Sequence, residues 1–296
     1  MTTADPPTRP GGLVACEVRR PASLAEALDA LRELGSDGAP LAGGTWIMRA
    51  PLRHDPLARV YVALSRIEEL AGIATAEDEV SIGALVTHAE LAAVNGSPTL
   101  AGLARAAERS AFPAVRSVAT VGGNLAAVGF PEADLVPALL AADARIELEG
   151  PGGRTDEDVA TYLGSRGTRP AGELITRVVV PTPPGRRSAF ERLTIRGGGE
   201  YAVASVAVSL TVDDAGVVSD ARVAVGSVEE QARLSAAAAA ALVGSPPAAT
   251  TAQDAGAAAA EECAGRDGLD APGWYRLTVL PSLLRTAVAR LIEEEH

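Results

Sequence analysis

The sequence predicts an α+β protein in which strands give way to a helical C-terminal region. Residues 188–194, 202–212 and 217–225 form three apolar runs that are typical of an antiparallel sheet. The last third of the chain is rich in alanine and helical in pattern, with residues 275–293 as its clearest helix. Strands followed by helices, without strict alternation, favour an α+β architecture.

The first half of the chain predicts shorter elements in mixed order. After a strand at residues 15–19, Ser23 is expected to cap a helix, because Glu26 follows at capping-box spacing and apolar residues then recur at the helical period. Gly35 ends this helix, and residues 40–45 are expected to turn sharply. Further strands are expected at residues 59–64, 79–83, 144–149 and 173–180, and helices at residues 87–94, 99–107 and 134–142.

Composition limits the possible classes of function. The 296 residues have room for one large domain or two to three smaller ones. Hydrophobic residues make up 47% and charged residues 22%, as in globular proteins, and the scarcity of aromatic residues predicts a core of alanine, valine, leucine and isoleucine. The net charge is −12, every cation is an arginine, and no basic stripe is visible, which argues against a nucleic-acid partner.

No membrane segment is expected. The N-terminal residues are polar and rich in proline, and the alanine runs at residues 236–241 and 257–260 are too short to span a bilayer. We therefore expect a cytoplasmic protein.

No metal site is expected either. The two cysteines, Cys16 and Cys263, cannot supply the four thiolates of an ordinary iron–sulfur cluster or of a cysteine-based zinc site. The histidines show no metal-ligand spacing, and His54 and His88 are expected to be ordinary surface or capping residues. A redox function would need an organic cofactor, or partner chains that carry the metals.

Two glycine pairs, Gly43-Gly44 and Gly122-Gly123, are candidate phosphate-binding loops. Backbone N–H groups can hold a pyrophosphate only where no Cβ blocks close approach, which is why such loops contain glycine. Neither pair fits the Rossmann pattern or the phosphate-binding Gly-Lys-Ser pattern. An isolated glycine pair is more often a plain turn.

Seven short blocks give these glycine pairs a context. Taken in order, they resemble the FAD-binding medium subunit of the molybdenum hydroxylases, the group that includes carbon monoxide dehydrogenase, xanthine dehydrogenase and aldehyde oxidoreductases. The resemblance runs from about residue 16 to residue 291. The blocks are CEVRRPASLAEAL (16–28), LAGGT (41–45), LSRIEEL (64–70), IGALVTHAEL (82–91), ATVGGNL (119–125), GELI (172–175) and EYAVA (200–204).

The resemblance implies a domain organisation. It predicts a flexible lead-in at residues 1–12 and a FAD-binding domain of the vanillyl-alcohol-oxidase-like type at residues 13–181. That domain would have two α/β subdomains, at about residues 13–57 and 58–181. A C-terminal domain of antiparallel strands and helices would follow at residues 187–296, after a stretch rich in proline and glycine. The flavin would lie between the subdomains, with the C-terminal domain closing over its ring.

The resemblance also implies cofactor-binding residues. Asp134 matches a residue that holds the sugar or adenine side of FAD, and Ile175 an apolar contact to the flavin. Tyr201 falls on a residue that covers the ring in some members, and Arg192 lies near a basic position at the electron-rich edge of the flavin. No catalytic acid or base is identified, and only Tyr201 and Trp46 are candidates for a catalytic role. The two pyrophosphate loops would be Leu41, Ala42, Gly43, Gly44, Thr45 and Trp46, and then Thr120, Val121, Gly122, Gly123 and Asn124.

The sequence departs from the family pattern after each glycine pair. Trp46 stands where the family has aspartate or serine, and the segment at residues 124–131 is one residue longer, with Ala127, Val128 and Phe130 at polar positions. Trp46 could be a core residue at a subdomain seam or a contact to the flavin or a substrate. Packing is likewise an alternative role for Tyr201, as is helix capping for Asp134.

Three functions are consistent with these observations. In the first, the chain passes electrons through FAD from the iron–sulfur clusters of a small partner subunit to an external acceptor, and a large molybdopterin subunit oxidises the substrate. In the second, the chain is a stand-alone flavoenzyme that oxidises or rearranges a small organic substrate, with a pocket remodelled by Trp46, Phe130 and Tyr201. In the third, the flavin has been lost and the chain is a scaffold or binding protein.

Overall fold

The computed structural model describes residues 16–195 and 201–293. The predicted lead-in at residues 1–12, the first residue of the predicted strand at 15–19 and the acidic tail at residues 294–296 lie outside the described residues. Among the described helices, none combines the length and the apolar composition that crossing a bilayer requires.

The chain begins with a small three-stranded parallel sheet covered by one helix. Its strands are β1 (Glu17–Arg19), β2 (Gly38–Leu41) and β3 (Val60–Ala63), in the order β1-β3-β2, with α1 (Leu24–Leu34) between β1 and β2 and α2 (Ala50–Arg53) between β2 and β3. Ser23 caps α1 as predicted, because its hydroxyl accepts a hydrogen bond from the Glu26 N–H. Apolar residues of α1 and β3 form a compact core.

Two sequence predictions fail in this first unit. Residues 38–41 form strand β2, which the prediction of a sharp turn from residue 40 overlooked. The predicted subdomain boundary near residue 57 is too early, because β3 lies between β1 and β2 in one sheet. The first unit therefore continues at least to Ala63.

The second unit is a five-stranded antiparallel sheet flanked by helices. The strand order is β4-β5-β8-β6-β7, for β4 (Ile73–Thr75), β5 (Glu79–Gly83), β6 (Arg145–Gly150), β7 (Gly153–Asp158) and β8 (Leu174–Pro181). Its helices are α3 (His88–Ala92), α4 (Ala101–Arg109), α5 (Pro113–Arg116), α6 (Val121–Ala126), α7 (Leu135–Ala141) and α8 (Val159–Ser165). Every residue of α7 is buried, so this helix lies at the centre of the molecule.

The C-terminal region is a four-stranded antiparallel sheet covered by helices, as predicted. The strand order is β12-β11-β10-β9, for β9 (Arg186–Thr194), β10 (Ala202–Val212), β11 (Val218–Gly226) and β12 (Arg233–Leu234). Its helices are α9 (Ala236–Leu242), α10 (Ala249–Glu262), α11 (Gly273–Thr278) and α12 (Leu280–Glu293). Apolar residues of β10, α10 and α12 form its core.

The single helix predicted at residues 275–293 is two helices. α11 ends at Thr278, and α12 starts afresh at Leu280 with Pro281 in its first turn. Proline has no N–H group and is tolerated in the first turn of a helix but not in its interior. A continuous helix would have placed Pro281 in its interior. The break between α11 and α12 therefore follows from the missing N–H group and the ring of this proline.

An ionic network joins β9 to the N-terminal domain. Glu191 on β9 is almost fully buried and accepts hydrogen bonds from Arg105 of α4, with 2.9 Å between Arg105 Nη2 and Glu191 Oε1, and from Arg290 of α12. On the same strand, Arg192 donates to the Asp134 carboxylate over 2.5 Å and to the Arg109 carbonyl over 2.7 Å. These contacts fix the edge of the C-terminal sheet against α4 and α7.

Replacing Glu191 by alanine tests this network. The Glu191→Ala variant leaves the partly buried guanidinium groups of Arg105 and Arg290 without their shared carboxylate, and we expect the free energy of unfolding to fall by about 2–4 kcal/mol. The control is Asp37→Ala, which removes an exposed pair with Arg59 and should cost less than about 1 kcal/mol. Urea unfolding followed by circular dichroism measures both. Equal midpoints for the two variants would contradict the proposed role of the network.

Candidate cofactor site

A cavity of about 390 Å³ lies between the parallel unit and the five-stranded unit. Most of its wall comes from the end of β2 with the loop after it, the connection from β5 to α3, α6 with the segments on either side of it, and the start of β8. The wall is mostly apolar, with a few polar side chains, as is usual for a cofactor site. Apolar contributors include Pro40, Leu64, Ala84, Leu85, Leu174 and Ile175.

The loop after β2 has the properties of an anion cradle. The N–H groups of Gly43, Gly44 and Thr45 donate no hydrogen bond to any other described residue, and all three residues line the cavity. A Cβ at position 43 would lie 1.8 Å from the Val118 carbonyl oxygen, and Gly44 has a φ of +71°. Glycine is therefore required at 43 by close packing and at 44 by backbone conformation.

The second glycine pair is not an open loop. Gly122 and Gly123 lie in the first turn of α6, where the Thr120 hydroxyl accepts the Gly123 N–H over 3.1 Å and the Ala84 carbonyl accepts the Gly122 N–H over 2.9 Å. A Cβ on Gly122 would lie 2.8 Å from the Ala84 Cβ. These glycines let α6 pack closely beside the cavity, while their N–H groups are used within the protein.

Comparison with known families identifies the chain. The family described as the FAD binding domain in molybdopterin dehydrogenase matches residues 14–183, and the CO dehydrogenase flavoprotein C-terminal domain matches residues 188–291. The chain belongs to the FAD-binding medium subunits of the molybdenum hydroxylases.

Individual relatives agree with this assignment. The chain is 36% identical over 202 residues to the carbon monoxide dehydrogenase medium chain of Afipia carboxidovorans, covering 66% of this chain and 69% of the relative. It is 34% identical to the 6-hydroxypseudooxynicotine dehydrogenase complex subunit alpha of Paenarthrobacter nicotinovorans, covering 69% of each. Among solved structures, a chain of cyanide-inactivated Cu,Mo-CO dehydrogenase superimposes with a TM-score of 0.85 at 29% identity, covering 93% of this chain and 97% of that one.

Family membership settles several sequence predictions. The chain is an FAD-dependent oxidoreductase, and its predicted fold, a two-subdomain FAD-binding domain followed by an antiparallel sheet with helices, is confirmed. The alternative of a flavin-less scaffold is wrong. The free N–H groups of the loop after β2 fit the pyrophosphate of FAD, because that group offers only hydrogen-bond acceptors and carries negative charge.

The cavity gathers most of the predicted cofactor-binding residues, and their individual contacts with FAD stay predictions. Those in its wall are Ala42, Gly43, Gly44, Thr45, Trp46, Thr120, Gly122, Gly123, Asn124 and Ile175. Leu41 and Val121 lie just behind it, and Tyr201 is at its rim, where it contacts Phe130.

Asp134 and Arg192 lie outside the cavity wall and pair with each other. Burial raises the pKa of Asp134 to about 7 although the Arg192 guanidinium opposes this shift. Asp134 precedes α7, but its side chain makes no capping hydrogen bond. Asp134 thus occupies the N-cap position of α7, as the capping alternative expected, but its carboxylate pairs with Arg192 instead of bonding to the helix N-terminus.

Sequence reasoning missed other residues of the wall. His88 was expected at the surface or as a cap, but it is only 3% exposed and lines the cavity. Tyr162 and Glu173 also line it. His88 lies within the block IGALVTHAEL, one of the seven that resemble the family, and this position could have marked it as a site residue. Tyr162 lies in none of the seven blocks.

Two residues that depart from the family pattern, Trp46 and Phe130, pack with Tyr201, Arg49 and Arg53 in a cluster that we call the aromatic latch. The rings of Trp46 and Phe130 stack with centroids 4.2 Å apart, and the Arg53 guanidinium carbon lies 3.8 Å from the centre of the indole. Tyr201 meets Phe130 edge-on at 6.1 Å and accepts a hydrogen bond from Arg49.

The latch joins three separate segments at the rim of the cavity. The Trp46 indole N–H donates to the Val128 carbonyl over 3.2 Å, which ties the loop after β2 to the segment after α6. Tyr201, at the start of β10, adds the C-terminal domain. Because Phe130 and Arg53 both stack on the indole of Trp46, a flavin ring could stack there only by displacing one of them. Trp46 thus serves as a seam residue that also lines the cavity.

Alanine at position 43 tests the anion cradle. The added Cβ of Gly43→Ala collides with the Val118 carbonyl and must shift the loop, so we expect the dissociation constant for FAD to rise at least about tenfold. The control is Gly164→Ala in α8, where a Cβ meets nothing within 4 Å. Titration of the apoprotein with FAD, followed by flavin fluorescence, gives both constants. An unchanged constant for Gly43→Ala would exclude the loop as the cradle.

A double-mutant cycle tests the latch. We expect Trp46→Leu and Phe130→Leu to be non-additive, with a coupling energy of about 0.5–1.5 kcal/mol, because each removes the same stacked pair. Trp274 is 68% exposed and contacts Tyr275 instead, so Trp274→Leu should be additive with Phe130→Leu. Chemical denaturation supplies the free energies, and additivity in the Trp46 cycle would show that the stack contributes nothing.

Proposed function

We propose that this chain passes electrons through FAD from the iron–sulfur clusters of a small partner subunit to an external acceptor, within a complex whose large subunit carries molybdopterin. The observation that carries the proposal is the match of both domains to this one family, with relatives named as medium chains or FAD subunits of dehydrogenases. The cysteine content supports it, because two cysteines cannot hold a four-thiolate cluster in this chain.

Bound FAD supplies the reversible uptake and release of electrons, and the protein supplies binding and orientation. The loop N–H groups of Gly43, Gly44 and Thr45 would hold the pyrophosphate. Apolar residues such as Leu64, Leu85 and Ile175 line the cavity and would pack against the cofactor.

The aromatic latch bears on the stand-alone alternative. That alternative was motivated by the clustering of Trp46, Phe130 and Tyr201, which suggested a remodelled substrate pocket. In the structure Phe130 contacts both Trp46 and Tyr201, Arg53 lies over the Trp46 ring, and Arg49 lies over the Tyr201 ring. Their packing accounts for the clustering without a substrate, so this observation favours the subunit function.

Purification of the tagged chain from its native host tests the proposal. We expect it to co-purify with an iron–sulfur chain and a molybdopterin chain, and we expect substrate added to the complex to reduce both the clusters and the flavin. With Gly43→Ala, substrate should still reduce the clusters while electron delivery to the acceptor is lost. Gly164→Ala should behave as the wild type. A yellow monomer or homodimer that oxidises an organic substrate without other chains would overturn the proposal.

A further inference from the structure

His88 is fixed in the wall of the cofactor cavity by its backbone. It is the first residue of α3, and its N–H donates to the Ala119 carbonyl over 2.9 Å. Thr87 and Glu90 form a complete capping box around this start of the helix. The imidazole therefore occupies a defined place beside the segment that leads into the second glycine pair.

The hydrogen bonds of His88 determine which ring nitrogen carries the proton. Nδ1 lies 2.7 Å from the Ser110 hydroxyl oxygen, and that hydroxyl donates to the Ala107 carbonyl over 2.8 Å. A hydroxyl has a single proton to donate. With the Ser110 proton directed to Ala107, we assign the imidazole proton to Nδ1, where Ser110 accepts it.

The opposite nitrogen, Nε2, is consequently a bare acceptor. Burial lowers the pKa of His88 to about 4; the Thr120 carbonyl opposes this shift and the Arg116 charge adds to it. The ring is thus neutral at physiological pH, with its one proton on Nδ1 and a lone pair on Nε2.

This acceptor has no protein partner among the described residues. His88 Nε2 is buried without a hydrogen bond, and so is the Asn124 Oδ1 atom of α6, which belongs to the same cavity wall. Leaving a buried polar atom unsatisfied is costly, and native proteins rarely do so. Two such acceptors in one wall indicate a ligand that brings hydrogen-bond donors to this side of the cavity.

The chemistry of FAD restricts which of its groups can satisfy His88. The phosphate oxygens carry no proton at neutral pH, so they cannot donate to Nε2. The sugar hydroxyls, the adenine amino group and the flavin ring N–H are donors. His88 is hydrogen-bonded to Ala119, whose neighbour Val118 touches Gly43 in the anion cradle, and in FAD the donors that adjoin the pyrophosphate are sugar hydroxyls.

We propose that His88 Nε2 accepts a hydrogen bond from a hydroxyl of the ribityl chain or the ribose of FAD, next to the pyrophosphate. This rests on FAD occupying the cavity described above. His88 then complements the loop after β2: the loop donates to phosphate oxygens, and the imidazole accepts from a sugar.

Binding measurements with FAD analogues test the proposal. We would titrate the apoprotein with FAD and with analogues that each lack one sugar hydroxyl, following flavin fluorescence. In the wild type, one analogue should bind about two- to tenfold more weakly than FAD. In His88→Phe that difference should vanish, and in His88→Gln, whose carbonyl oxygen can accept in place of Nε2, it should partly return. His54→Asn is the control, because His54 is exposed, lies outside the cavity and has a left-handed backbone (φ 60°) that asparagine tolerates.

Nitrogen-15 NMR of the histidine rings gives a second readout that needs no variant at position 88. With three histidines in the chain, the spectrum of labelled wild-type protein should show His88 neutral with its proton on Nδ1, and FAD should shift the Nε2 resonance towards that of a hydrogen-bonded acceptor. A proton on Nε2 would overturn the proposal. So would binding data in which every analogue loses the same affinity in the wild type as in His88→Phe. If Gly43→Ala still weakens FAD binding in that case, the cavity remains the FAD site and only the role of His88 fails.

Discussion

The backbone of Gly43 lies directly against the carbonyl of Val118, and the cofactor cavity depends on this contact. Gly43 follows the parallel sheet, whereas Val118 belongs to the five-stranded unit, so their approach sets the spacing between the two walls. Within the five-stranded unit, hydrogen bonds hold the wall beside Val118, as the His88 N–H donates to the Ala119 carbonyl and the Gly122 N–H to the Ala84 carbonyl. A side chain at position 43 would separate the units and open the cradle formed by the loop after β2.

The C-terminal domain is tied to this cavity from two sides. On one side, β9 packs on α4 and β10 packs on α7. There the buried carboxylate of Glu191 forms ion pairs with arginines of both domains. At the rim, Tyr201 reaches Phe130 through the aromatic latch. Because α7 packs on β10 and β11 of the C-terminal sheet and on α6 of the N-terminal domain, a displacement of the C-terminal sheet would disturb the segment between α6 and α7 that carries Phe130. The domain thus stabilises the segment that carries Phe130 in the cavity wall.

The sequence predicted the family, the cofactor and most strands, because these depend on local patterns and on ordered blocks. It failed where tertiary contacts decide. Strand β2 contains glycine and proline, which have low strand propensity, and forms only because β3 pairs with it. Gly122 and Gly123 are poor helix formers, yet they begin a helix since Thr120 caps it. The pairing of Asp134 with Arg192 joins residues 58 positions apart, a contact that no local pattern encodes.

In the cavity, hydrogen-bond donors lie in the loop after β2 and unpaired acceptors lie on the facing wall. This arrangement explains how so acidic a chain can hold an anionic cofactor. The net charge is −12, and no arginine among the described residues lines the cavity. In the proposed site, backbone dipoles would attract the negative phosphates, and the free N–H groups after β2 would provide these dipoles at short range. Acceptors such as His88 Nε2 and Asn124 Oδ1 would repel phosphate if placed in that loop. They instead occupy the facing wall, where sugar hydroxyls can donate to them. The hydrogen-bond donors thus belong to one unit and the acceptors to the other. A ligand that pairs with all of them must carry acceptor groups beside the loop after β2 and donor groups beside His88 and Asn124.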